Sequence, residues 1–178
     1  MFPNTRYTVR GIHTTFDNEL WNLAAYDTPI IDIDSKCVIY DNLALLKTLN
    51  IKVNVIIQTA AYRGRSEILE WVLQQGADIW HRDNYALRMV AERNHLDAAK
   101  CITRHLEGRT TKFNIDDALF HAIHTSSYSV FVHLFEWYFN KYRDWITMSD
   151  VFDCAWAYNG PEYTYLYANY REIREYFG

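Results

Sequence analysis

A chain of 178 residues with 49% hydrophobic and 16% aromatic content can fill one well-packed domain or a row of short repeats, and is too apolar to remain disordered. Its 22 acidic and 18 basic residues give a formal charge of −4, which offers no basic footprint for duplex nucleic acid and too little acid for a mimic of it. Three Pro and six Gly are too few for an all-β architecture built on tight turns.

The first residues, Met1 to Arg6, carry neither a basic n-region nor an apolar h-region, and no later run approaches the ~18 apolar residues of a membrane span. Cys37, Cys101 and Cys154 are widely spaced, form no C-x-x-C and read as buried thiols in a reducing compartment. The expected location is the cytosol, with no membrane partner.

Phe16, Leu20, Leu23 and Ala24 share one face of a short helix that has Asp17 and Glu19 in its first turn. Ile30–Asp34 and Cys37–Tyr40 flank Ser35-Lys36 as a small hairpin would, and Leu43–Leu49 has the spacing of a helix. Residues 1–50 are therefore expected to form an irregular N-terminal cap or a degenerate first repeat.

From residue 51 a regular rhythm begins. Ala60-Ala61-Tyr62-Arg63-Gly64 recurs as Val90-Ala91-Glu92-Arg93-Asn94, as Ala122-Ile123-His124-Thr125-Ser126 and as Trp156-Ala157-Tyr158-Asn159-Gly160. Small residues close a helix at each copy, and Gly or Asn supplies a turn that needs φ > 0, for which the Ser is a poorer fit. The helices before these turns are expected over about 53–62, 85–93, 116–124 and 150–158. Asn114, Asp116 and Asp117 suit the start of the third, and Ser149 with Asp150 the start of the fourth. After each turn a second helix is read from Ile68, Leu69, Val72 and Leu73, from Ala98, Ala99 and Ile102, and from Val130, Phe131, Leu134 and Phe135. In the last copy Pro161 suits a first helical position, and Tyr163, Leu166, Tyr167 and Tyr170 fall on one face.

The stretch from Ala60-Ala61 through Gly64, the pairs Ile68-Leu69 and Val72-Leu73, and Gly76-Ala77-Asp78 resembles the ankyrin repeat, and its recurrence is close to the ~33-residue ankyrin period. Residues 55–106 carry the resemblance best. No copy has the Thr-Pro-Leu-His signature, only one keeps Gly-Ala-Asp, and the β-hairpin finger after Ile79 is expected to be short. The implied fold is an all-α, ankyrin-like helix-turn-helix solenoid with units at about 51–82, 83–113, 114–146 and 147–178 in one continuous domain.

The resemblance implies a non-catalytic module that binds a protein on its concave face and acts by occupancy, as an inhibitor or adaptor. Stand-alone arrays of this kind in viruses, phages and intracellular bacteria bind host proteins. Carried over by position, the face comprises Tyr62, Arg63, Glu92, Arg93, His124, Thr125, Tyr158 and Asn159, with Trp80, His81 and Arg82 from the short finger. Tyr, Trp and Arg are the residues that dominate interface energetics. Trp80 has two readings, exposed on a hairpin tip or folded beneath it. The aromatic last helix is read as a cap or as a second interface, including a homodimer contact with Tyr165 and Tyr176 outward.

Chemistry finds little purchase. His121 and His124 with a carboxylate from Asp117, Asp150 or Asp153 could hold a metal, but no H-x-x-x-H or H-E-x-x-H occurs, and no metal or cofactor is expected. Cys154 beside Asp153 reads as a packed thiol before a nucleophile. The alternative function is single-strand nucleic-acid binding, with Tyr and Trp as stacking platforms and Arg63, Arg65, Arg82, Arg88 and Arg93 as the basic component.

Overall fold

The structure is a computed structural model that describes residues 37–38, 40–108, 115–142 and 145–170. The expected helix around Phe16–Ala24, the strand at 30–34, the cap at Asn114 and the outward Tyr176 lie outside those residues. All regular structure among the described residues is helical: α1 (Leu43–Leu46), α2 (Val53–Arg63), α3 (Ser66–Gln74), α4 (His81–Glu92), α5 (Leu96–Leu106), α6 (Asp116–His124), α7 (Tyr128–Tyr142), α8 (Trp145–Tyr158) and α9 (Pro161–Asn169).

The helices form two layers. α2, α4, α6 and α8 lie side by side in one, and α3, α5, α7 and α9 in the other. Each member of the first layer also packs on the helix that follows it in the chain, so the layers are joined by helical hairpins. One apolar pattern drives both contacts. Ile56, Ile57, Ala60 and Ala61 in α2 are fully buried, as are Leu87, Val90 and Ala91 in α4, with Ala86 nearly so; Ala118, Leu119, Ala122 and Ile123 repeat the pattern in α6. Spacing of i, i+1, i+4, i+5 makes one stripe on a 3.6-residue helix, and small residues at the last two places let layers approach closely. Toward the C-terminal end the second layer becomes aromatic. Phe131, Phe135 and Phe139 stack in succession at 5.8 Å, and Tyr170 meets Phe135 and Phe139 edge-on at 5.0 and 5.2 Å.

The hairpin turns share one geometry. Gly64, Asn94 and Ser126 have φ of +67°, +56° and +53°. At each, the residue's N–H donates to the carbonyl three back and the next N–H to the carbonyl five back: Gly64 to Ala61 (3.2 Å) and Arg65 to Ala60 (2.9 Å), and likewise Asn94 to Ala91 with His95 to Val90, and Ser126 to Ile123 with Ser127 to Ala122. Ser126 is accommodated by its neighbour, because Thr125 Oγ1 donates to the His121 carbonyl at 2.8 Å and meets Ser127 Oγ at 2.9 Å.

The same turn appears where a hairpin of strands was expected. Cys37 and Val38 are helical and fully buried, Asp41 has φ +59°, and Asp41 and Asn42 donate to the Val38 and Cys37 carbonyls at 3.2 and 2.8 Å. Asn42 then caps α1 by accepting from Leu45 N–H at 2.9 Å. Cys37-Val38 thus occupy the places of Ala60-Ala61, and the helix–turn–helix rhythm begins earlier than residue 51.

Two further expectations are corrected, and one helix start is met. α8 begins at Trp145, which puts Ser149 and Asp150 in its interior and not at its cap. The first turn of α4 is irregular, with φ of +54° at Arg82 and +59° at Asn84, so regular helix runs from about Tyr85, where it was expected. In α9 the buried residues are Glu162 and Leu166, while Tyr167 is exposed, so the face is rotated from the expected one. Tyr165 is half-buried and donates its hydroxyl to Glu136 on α7. Among the described residues no helix is long and apolar enough to cross a membrane.

Candidate functional site

On α2, α4, α6 and α8 the stripe that packs between layers leaves an opposite stripe, counted backward from each turn residue. In α2 it comprises Val55, Gln58, Thr59 and Tyr62, in α4 Tyr85, Arg88, Met89 and Glu92, in α6 Asp117, Phe120, His121 and His124. These side chains are half-buried or exposed, apart from Met89, which is buried. They form a grid with one column per helix and one row per turn of helix.

The row nearest the turns contains most of the residues expected at a binding face. Tyr62 is half-buried beneath Arg93, whose guanidinium lies 4.2 Å from the ring centroid and whose Nη2 donates to the Tyr62 hydroxyl at 2.6 Å. Arg63 lies 5.5 Å from the same ring. Glu92 meets Arg93 Nε at 3.7 Å on one side and His121 Nδ1 at 3.8 Å on the other. His124 and Tyr158 then meet at 4.6 Å between ring centroids. Across the first and last pairs of units the contact is the same: the residue before a turn (Arg93, Tyr158) covers the residue two before the preceding unit's turn (Tyr62, His124), whereas His121 and Glu92 make the link across the middle pair. A continuous, pre-arranged row therefore crosses the four helices, with Arg63, Arg93, His124 and Tyr158 exposed along it.

The left-handed turn residue of the last unit corrects the expected register there. It is Asn159, with φ +50°, and Gly160 is extended with ψ −174°. The places of Tyr62 and Arg63 are thus taken by Ala157 and Tyr158, and Asn159 belongs to the turn. Ala155 and Trp156 take the places of the small pair. Ala155 is buried, whereas Trp156 is 58% exposed on the last described helix of its layer.

Trp80, His81 and Arg82 are not on a hairpin tip. No strand forms among the described residues, and Asp78 Oδ1 accepts from Trp80 N–H at 3.0 Å in a tight turn that leads into α4. Ile79, 1% exposed, anchors that turn in the core, and Asn54 Oδ1 ties it to α2 by accepting from Asp78 N–H at 2.8 Å. Trp80 is half-buried and packs against the core, which decides between its two readings. Only Arg82 reaches out, with Nη1 at 3.3 Å from Gln58 Oε1 on α2.

Sequence reasoning missed the residue just after each turn. His95 Nε2 meets the Tyr62 carbonyl at 3.1 Å, and Ser127 Oγ donates to the equivalent Glu92 carbonyl at 3.4 Å. Both bridge one unit to the previous one from the same position, and a polar residue at turn plus one is the signal that marks them. Among titratable groups, burial pushes the Cys101 thiol up to about 11, reinforced by Glu70 and opposed by Arg104. Burial also raises the half-buried Cys154 thiol, so neither is set up as a thiolate nucleophile at neutral pH. Among the described residues no three His, Cys, Asp or Glu side chains are grouped to hold a metal ion.

No protein-family model matches the chain, and no curated protein or solved structure matches it either.

Proposed function

We propose that this chain is an ankyrin-like repeat array that binds a protein partner through the outward face of α2, α4, α6 and α8, and acts in the cytosol by occupying that partner as an inhibitor or adaptor. The observation that carries the reading is the row from Arg63 to Tyr158. It offers a large aromatic or cationic side chain from each end of the array, with Tyr62 and Tyr158 held in place by contacts between units. Such side chains lose little freedom on binding, which is what makes Tyr and Arg effective anchors.

The test is affinity capture from a lysate with three proteins: the natural sequence, Arg63→Glu with Tyr158→Ala, and Arg104→Glu as a control on α5. Arg63 and Tyr158 are exposed and should leave far-UV circular dichroism unchanged. A stoichiometric protein retained by the natural sequence and the control but lost from the face variant supports the reading. Retention by all three, or equal loss from both variants, refutes the assignment of the face.

A further inference from the structure

We infer that the bound segment is acidic where it crosses α2 and α4. This rests on the protein-binding reading above and adds the chemistry of the partner to it.

The inference comes from how the arginines are answered. Among the described residues the two arginines away from the outward face each pair with an acid. Arg104 pairs with Glu70 at 3.0 Å, Arg65 with Asp41 at 3.5 Å, and Lys141 Nζ donates to the Leu106 and Glu107 carbonyls at the end of α5 at 2.8 and 3.0 Å. On the α2–α4 face Arg93 meets Glu92, but the other three arginines lack an acid among the described residues. Arg63 has only the Tyr62 ring, Arg82 only the amide oxygen of Gln58, and Arg88 makes no ion pair or hydrogen bond among the described residues. Arg88 Nε is buried without a partner, which leaves a partly desolvated guanidinium beside the surface. Three arginines on two adjacent helices thus go without an acid in a chain whose net charge is −4. A carboxylate arriving from outside would meet planar donors that suit it.

The same face argues against a polyphosphate strand. Glu92 lies within the basic half, and exposed Asp117 and Asp153 occupy the grid over α6 and α8. A nucleic-acid strand carries its charge at every nucleotide and would run onto those acids, whereas a peptide can place its acids over α2 and α4 alone. Helices packed ~9 Å apart put about 27 Å between α2 and α8, a span of about eight extended residues.

The experiment is selection of phage-displayed random 12-residue peptides on the intact protein, followed by fluorescence titration of the enriched peptides and of a 12-nucleotide oligo-dT. Each is repeated on Arg63→Glu/Arg82→Glu, both exposed and remote from the core, and on Tyr158→Ala. The expected result is enrichment of peptides with Asp or Glu clustered in one half, weakened about tenfold or more by the arginine reversals. Enriched peptides that are weakened by Tyr158→Ala but carry no acidic excess overturn the acidic-partner inference and leave the protein-binding face standing. Peptides indifferent to both variants, or no enrichment, overturn both readings. Oligo-dT that binds as tightly as the peptides and is lost with the arginine reversals replaces the peptide with a nucleic acid.

Discussion

Gly64→Ala isolates the contact that joins the first two full units. Gly64 has φ +67°, where an alanine costs about 1–2 kcal/mol in backbone conformation. A Cβ built there would also lie 2.6 Å from His95 Cγ and Nδ1 and 2.9 Å from Cε1, inside any real contact distance. The ring can withdraw only by giving up its 3.1 Å bond to the Tyr62 carbonyl, a further ~0.5–1.5 kcal/mol. Gly76 provides an internal control, because it has φ +87° at the end of α3 and open space around a Cβ. Gly76→Ala should therefore lose the conformational term alone. Urea denaturation followed at 222 nm should show Gly64→Ala to be about 1 kcal/mol more damaging than Gly76→Ala, roughly 2–4 °C in Tm for a domain of this size. In a His95→Ala background the excess should vanish, since the obstructing ring is gone. Equal losses at the two glycines, or an excess that survives His95→Ala, would refute the argument that His95 locks the units together through Gly64.

Two pH-dependent effects follow from buried groups in the second layer. His133 on α7 meets Thr103 Oγ1 at 2.9 Å; Thr103 is 2% exposed and donates to the Lys100 carbonyl, which leaves its oxygen to accept from Nε2. Burial lowers the His133 pKa, with Lys100 adding to it and Glu136 opposing. The folded value lies below the unfolded one, so this stability is full above the unfolded pKa near 6.5 and is lost as pH falls through the folded value. Tm measured from pH 7.5 to 5 should fall less steeply in His133→Gln than in the natural protein. Glu162 in the first turn of α9 shows the opposite sign. It is 1% exposed and its pKa is raised, chiefly by burial. The folded state therefore favours the protonated form, and the penalty is complete above the folded pKa and absent below the unfolded one. Glu162→Gln should raise Tm at pH 7, with the gain disappearing near pH 4; an equal gain at both would place its origin in packing.

The repetitive helices were legible because burial at i, i+1, i+4 and i+5 is a local signal that survives without any tertiary knowledge, as in Ile68, Leu69, Val72 and Leu73, all at most 3% exposed. What escaped depended on neighbours. Val38 is β-branched and suggested a strand, yet it and Cys37 are helical and fully buried ahead of left-handed Asp41. In the last unit Gly160 outranks Asn159 as a turn residue by type. Pro161 reverses the order, since the residue before a proline is pushed to extended backbone, and Gly160 accordingly has ψ −174° while Asn159 takes φ +50°. That one-residue shift moves Tyr158 into the place of Arg63, where Asn159 was expected, and leaves Ala157 in the place of Tyr62. The two ends of the face thus differ for separate reasons. Unanswered arginines distinguish α2 and α4, and a proline-set register delivers exposed Tyr158 on α8. On the protein-binding reading proposed above, a partner that fits both ends pairs an acidic stretch with an apolar or aromatic one, which is a narrower demand than binding a generic repeat surface.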